Sequence, residues 1–481
     1  MGRERTAREM SAFDALLFRG DADPRTRATL AAAYVLGHAP AHERAVAAFE
    51  RASCVIPRLR QHVVAPPWPV FLPSWIVDPD FDLDHHLRFE RLPPRATLRH
   101  LLDAVQHEMA RPLDPARPLW EAVFYTGLPR GRAGLLFRMS HAISDGIGAV
   151  RLFGALFDTS AEPARAAAPP PPIPEDVTPQ ELQRDELGRL PAALLDGASA
   201  LAVGATRLGA RLVVEPERTA ERATTYLRSL GRVFAAQAEP SPLLAGRSLE
   251  RRLAALDVPL TALKAAAKTA GGSLNDAYLA ALAGALRRYH EALGESVEAL
   301  PMAVPVNLRR DGDPAEGNFF GAVVLAAPLA IADPAGRIAA IRERMRAGRA
   351  EPAIGAPGLL SPVFARLPET LRARLAEGLP RPDLQASNVP ASPVPLYVAG
   401  SRVEHAWAFG PVPGAAAMAT LQSVAGTCHV GVNFDPAAFT QPERFAACLG
   451  EGFAEVLALA GEAVRPPKVL LSHAPRRGRR T

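Results

Sequence analysis

The order of apolar and polar positions divides the chain into short elements. Leu135-Leu136-Phe137-Arg138-Met139 is an apolar run bounded by Gly134, which predicts a buried strand that delivers His141 into a turn. Ala122-Val123-Phe124-Tyr125 predicts a second strand, joined to the first by a turn rich in Gly, Pro and Arg. In the alternating run around His85-His86, a strand would point the two rings to opposite faces. Short strands and helices alternate until Pro169-Pro170-Pro171-Pro172-Ile173-Pro174, which fits neither a helix nor a central strand and reads as an extended, semi-rigid connector. A helical stretch follows from about Pro179 to Ala238, with breaks near Gly209 and Pro216. Its section from Leu190 to Val214 is rich in Ala and Leu but carries Asp196, Arg207 and Arg211, each costly at the centre of a bilayer. Packing against protein is the expectation for it, ahead of docking on a membrane surface.

The second half returns to mixed structure. Ser248 to Val258 predicts a strand and Pro259 to Ala270 a helix, which Gly271-Gly272 ends. Ser273 then caps a long helix to about Leu293, placing Asn275 and Asp276 in its first turn, where an acidic side chain also suits the helix dipole. Further strands are expected at Pro301 to Leu308, Phe319 to Leu329, Leu384 to Asn388, Val394 to Val398, Ala416 to Val424 and Cys428 to Asn433. No short internal repeat is visible.

Composition narrows the class. With 481 residues, 48% hydrophobic and 22% charged, the chain suits two globular domains rather than a fibre or a disordered segment. Of the net charge of +5, Arg476, Arg477, Arg479 and Arg480 supply four, so 5 − 4 leaves +1 on the body. Scattered arginines and 6% aromatic residues give no basic stripe for nucleic acid. The tail reads as a solvated end, worth ~1 kcal/mol per basic residue against anionic lipid. Cys54, Cys428 and Cys448 are isolated and form neither a zinc spacing nor a disulfide framework, which suits a reducing cytoplasm, and no metal is expected. The first ten residues lack the apolar stretch of a secretory signal. Met1-Gly2-Arg3-Glu4-Arg5-Thr6 fits a myristoylation pattern formally, which reads as coincidence in an Ala/Arg/Pro-rich chain of bacterial appearance.

The candidate chemistry lies in Ser140-His141-Ala142-Ile143-Ser144-Asp145-Gly146, an H-x-x-x-D-G pattern. Imidazole titrates near neutrality, so a histidine at a strand end serves as general base for a hydroxyl, a role worth roughly 10²–10⁴-fold in rate. Asp145 and Gly146 read as supports, the carboxylate by fixing the loop through an ion pair and the glycine by permitting close approach. With 12 His and 36 Gly in the chain, chance gives about 0.05 such patterns, so a loop histidine bonded to Asp145 is a fair alternative for the motif alone.

The flanking sequence carries a resemblance. Pro118-Leu119-Trp120, the H-x-x-x-D-G segment, Met10-Ser11-Ala12-Phe13-Asp14-Ala15-Leu16, Val55-Ile56-Pro57-Arg58-Leu59, and Trp75 to His86 occur in that family's pattern. So do Ser273-Leu274-Asn275-Asp276-Ala277, Pro305-Val306-Asn307-Leu308-Arg309, Gly317-Asn318, Asn388-Val389-Pro390 and Pro395-Leu396-Tyr397. From Met10 to about Leu459 the chain is similar to the bacterial wax ester synthase/diacylglycerol acyltransferase family. One position departs: family members carry two adjacent histidines, and the first is Ser140 here.

The resemblance implies an α/β fold of two chloramphenicol-acetyltransferase-like domains with the active-site channel between them. The expected domains are residues 11–160 and 246–465, joined by a linker and helical crossover at 161–245 and flanked by an extension at 1–10 and a basic tail at 466–481. It implies an O-acyltransferase that uses acyl-CoA as co-substrate, no cofactor, and a diacylglycerol or long-chain alcohol as acceptor. His141 would be the base, Asp145 and Gly146 its supports, and Arg309 the partner of Asp145. Ser140, Pro118, Leu119, Trp120, Asn275 and Asp276 would lie at the substrates, although Trp120 reads equally as a core tryptophan. A cytoplasmic protein is expected, with peripheral contact to the plasma membrane or to lipid inclusions. Two alternatives stay open: a condensation-like acyltransferase acting on a secondary metabolite or carrier-bound substrate, and a weakly active or noncatalytic member.

Overall fold

The computed structural model describes residues 8–143, 154–163, 168–307, 320–377, 381–461 and 465–474. Among the described residues, six strands precede the proline-rich connector: β1 Thr29–Leu36, β2 Gln61–Val64, β3 Ser74–Val77, β4 Leu87–Arg91, β5 Trp120–Thr126 and β6 Ala133–Ser140. Nine of the described strands follow it: β7 Arg252–Pro259, β8 Ala299–Asn307, β9 Phe320–Pro328, β10 Leu384–Ser392, β11 Tyr397–Val398, β12 Ser401–Phe409, β13 Ala417–Val424, β14 Thr427–Phe434 and β15 Leu470–Leu471. They form two large sheets, in the orders β11-β12-β1-β6-β5-β4 and β15-β7-β14-β13-β10-β8-β9, and a small β2-β3 pair.

Period-two alternation explains why the first sheet is covered on both faces. Ala32, Tyr34 and Leu36 of β1, with Leu135, Phe137 and Met139 of β6, join one core that includes Phe49 and Trp75. The intervening Ala31, Ala33, Val35 and Leu136 join another, shared with Leu101, Leu102 and Val105 of helix Leu98–Ala110. That second core also holds Leu253 and Ala255 of β7 with Trp407 and Phe409 of β12, so it fuses the two sheets. The core of the other domain is centred on helices Leu274–Ala292 and Pro442–Leu457. There Arg337 is fully buried, donating to the Ala280 carbonyl at 2.9 Å and pairing with Glu455. A buried guanidinium of this kind needs both its charge and its donors answered.

Three expectations change. The helical stretch is continuous through Gly209 as Pro179–Val214, breaks only before Pro216, and resumes as Pro216–Phe234. It does not pack as a core element, for Leu195 is 71%, Val213 83% and Val214 76% exposed. His85 and His86 lie in a single helical turn, Leu83–His86, rather than in a strand, with His86 buried against Trp120. Finally β12 lay unrecognised in the sequence. It pairs antiparallel with β1, Ala31 opposite Phe409 and Ala33 opposite Trp407, so a strand from the C-terminal half completes the first sheet.

The sheets meet where Gly431 of β14 faces β12. A methyl group there would lie 2.2 Å from the Ala408 carbonyl oxygen, an atom of the backbone that cannot rotate away. Gly431→Ala is therefore expected to destabilise by at least ~1–3 kcal/mol, the usual range for overpacking. Gly188, in helix Pro179–Val214, has nothing within 4 Å of the same added atom. Gly188→Ala should gain ~0.5–1 kcal/mol. Urea unfolding midpoints of the two variants, moving in opposite directions, check the pair of expectations.

Candidate acyl-transfer site

β6 ends at Ser140, and His141 opens the turn that follows, as the apolar run ahead of it suggested. Two neighbours hold this strand end. The Ser140 N–H donates to the Leu119 carbonyl at 2.9 Å, and the His141 N–H donates to the Ala28 carbonyl at 2.9 Å. Trp120 stands opposite Met139 across β5 and β6, so Pro118-Leu119-Trp120 and Ser140-His141 form one continuous patch of structure. Upstream, Arg138 is 1% exposed and anchors β6 through Glu121 at 2.8 Å and the Arg111 carbonyl at 2.8 Å. The His141 side chain is only half-buried, whereas Ala142 and Ile143 turn inward.

Asp21 was missed in the sequence. It follows helix Ala12–Gly20, and its N–H closes that helix on the Leu17 carbonyl. Its Oδ1 accepts the Ala28 N–H at 2.7 Å, and its Oδ2 accepts the Ser140 hydroxyl. The same hydroxyl oxygen accepts the Ala142 N–H at 3.1 Å. Ser140 and Asp21 are 119 residues apart, and no local spacing announces such a pair. Burial raises the Asp21 carboxyl above its ordinary value, opposed by the hydrogen bonds from Ser140 and Ala28 and by the charges of Arg27 and His141. The carboxylate and the histidine are thus within electrostatic reach.

The other residues singled out by the sequence divide into supports and outliers. Ser140 is fully buried and committed to Asp21, so it holds the strand end and does not face a substrate. Trp120 is fully buried too, stacked between His86 at 4.7 Å and Phe137 at 5.8 Å, with its Nε1 donating to the Leu59 carbonyl at 2.8 Å. It is a core tryptophan. Burial pushes the His86 imidazole below its ordinary value, which keeps the ring neutral in that stack. Asp276 accepts from the Ser273 N–H at 2.8 Å and its hydroxyl at 2.7 Å, a capping box that accounts for the buried carboxylate, while Asn275 beside it is half-buried. Ser144, Asp145, Gly146, Arg309, Gly317 and Asn318 lie outside the described residues. A cleft of about 800 Å³ lined by Thr97, Arg99, Arg132, Glu443 and Lys468 includes none of the residues predicted for the site.

Ser140→Ala would strip a partner from the half-buried Asp21 carboxylate and from the Ala142 N–H. It is expected to cost ~1–3 kcal/mol, and less in an Asp21→Asn background, where no charge is left without its donor. Because the folded Asp21 carboxyl is raised, its protonated form favours folding, and this contribution fades as pH rises through the raised value. Asp21→Asn should remove that part of the pH dependence in urea titrations run on either side of the carboxylate range.

Known proteins share this architecture. A family model described as the wax ester synthase/diacylglycerol acyltransferase catalytic domain matches residues 6–278, and one described as the WS/DGAT C-terminal domain matches 316–456. A Mycobacterium tuberculosis protein provisionally named a diacyglycerol O-acyltransferase is 45% identical over 457 residues, covering 95% of this chain and 93% of its own. A second from the same species, named likewise, is 30% identical over 386 residues, covering 76% of this chain and 78% of its own. Among solved structures, the wax ester synthase/diacylglycerol acyltransferase from Marinobacter aquaeolei superposes with a TM-score of 0.63 at 21% identity, covering 94% of this chain and all of that one. The starter condensation domain of rhizomide synthetase superposes with a TM-score of 0.58 at 16% identity, over 97% and 98% of the two chains, which is a likeness of fold. By the match over both its halves, the chain belongs to the wax ester synthase/diacylglycerol acyltransferase family.

Proposed function

We propose that this protein transfers a fatty acyl group from acyl-CoA to the hydroxyl of a diacylglycerol or long-chain alcohol, with His141 as general base. The observation that carries the reading is the placement of His141: a half-buried histidine at the end of a fully buried strand, its backbone N–H held by the Ala28 carbonyl, in a chain of this family. The neutral imidazole takes the acceptor's hydroxyl proton as the oxygen attacks the thioester carbonyl. The tetrahedral centre collapses, the C–S bond breaks, and the proton returns from the imidazolium to the departing CoA thiolate. Atoms and charge balance without an acyl-enzyme. Asp21 lies within electrostatic reach of that imidazolium, and it positions the strand end through Ser140. We assign Asp145, Gly146 and Arg309 to supporting His141, Pro118, Leu119 and Trp120 to holding the strand end beside it, and Asn275 and Asp276 to the capped first turn of helix Leu274–Ala292.

A water-insoluble acceptor has to be met at a lipid surface. No helix of the described residues is long and apolar enough to cross a membrane. Helices Pro179–Val214 and Pro216–Phe234 instead expose Leu195, Val203, Val213, Val214 and Leu227 among charged residues of both signs, an apolar surface suited to lying at a lipid interface.

Three measurements test this. Radiolabelled palmitoyl-CoA offered with hexadecanol or with diacylglycerol should yield ester that His141→Ala reduces to background; ester formation equal in the variant would refute the assignment. Asp21→Asn removes a negative charge near the base, so the acid limb of the kcat/KM profile should move to lower pH. In flotation with phosphatidylglycerol vesicles, the wild type should rise with the lipid, and a Val213→Glu, Val214→Glu double variant should do so several-fold less.

A further inference from the structure

Away from His141, one cluster of side chains joins three strands of two sheets. Asp257 of β7 and His429 of β14 are register partners within the second sheet. His405 and Trp407 come from β12, which belongs to the first. The His405 Nδ1 lies 2.5 Å from Asp257 Oδ2, and the His429 Nδ1 lies 2.7 Å from Oδ1. The Trp407 Nε1 donates to Oδ1 at 2.8 Å, and its ring stacks on His405 at 4.8 Å. The His429 side chain is 4% exposed, those of Asp257 and His405 25% and 27%, so the group is enclosed yet reachable from solvent.

We infer that Asp257, His405 and His429 form a binding site for a divalent transition metal of the zinc class. Each offers one ligand atom, and the three atoms lie within 4.8 Å of one another. Two imidazole nitrogens and one carboxylate oxygen are a borderline donor set that suits zinc and disfavours magnesium or calcium, which take oxygen ligands. Such an ion takes ligands at ~2.0–2.2 Å in a tetrahedron, which sets the ligand atoms ~3.3–3.5 Å apart, so the two nitrogens must draw back from the carboxylate by somewhat less than ~1 Å as the bridging protons leave. The Trp407 N–H would remain on Oδ1 and orient the carboxylate, the outer support that zinc ligands ordinarily have. A fourth position is left for water. With ligands from β7, β14 and β12, the ion would tie the first sheet to the second at their seam. None of these residues takes part in the proposed acyl transfer, so the site stands or falls independently of it.

The test uses untagged full-length protein stripped with a chelator and dialysed against zinc sulfate or, in parallel, magnesium sulfate. Metal analysis should find one zinc and no magnesium per chain, and zinc should raise the thermal unfolding midpoint. His405→Gln and Asp257→Asn, each checked for native circular dichroism, should lose both the bound zinc and the shift. Wild-type protein without stoichiometric zinc would overturn the proposal whatever the variants do. So would folded variants that keep the zinc and the shift.

Discussion

The fold depends on the close approach of β12 to β14. β12 lies in the first sheet by its hydrogen bonds to β1 and against the second by contact, with the Ala408 carbonyl filling the space that a side chain at Gly431 would need. Backbone meets backbone there, which brings Trp407 and Phe409 into one core with Leu253 and Ala255. Close-packed interiors do not deform continuously, so the relative position of the sheets is set by this contact rather than by a linker. Anything that needs groups from both halves inherits its geometry from it.

The end of β6 is built the same way, from pieces far apart in the chain. Asp21 and Ala28 come from the first thirty residues, Leu119 from just before β5, Ser140 from the end of β6 and His141 from the turn after it. Ser140 is no vacancy in the packing. Its hydroxyl donates to the Asp21 carboxylate and accepts the Ala142 N–H, using both of its capacities. Those donors offset the desolvation of a half-buried charge beside a half-buried histidine.

Much of this was legible in the sequence wherever one residue type had a local job. The strand before His141, the capped helix after Ser273 and the β13-β14 pair follow from periodicity and caps. β12 was not legible, because Arg402 and Glu404 face solvent and its apolar positions are answered only by β1 and the second sheet. The exposed helices misled for the opposite reason: an Ala/Leu-rich pattern reports that a face is apolar, not what covers it. Asp21 and the Asp257, His405 and His429 group share one obstacle. Their partners are separated by more than a hundred residues, and pairing at that range is a property of topology that no spacing rule encodes.

The swapped strand also bears on how the chain is made. β1 lies between β6 and β12, so its outer edge has no hydrogen-bonding partner until Phe409 has been synthesised. For most of its time on the ribosome the N-terminal half is a sheet with an open edge and an uncovered apolar face. That is the arrangement most prone to pairing with a neighbouring copy. An N-terminal half made without β12 would leave that edge of β1 unpaired.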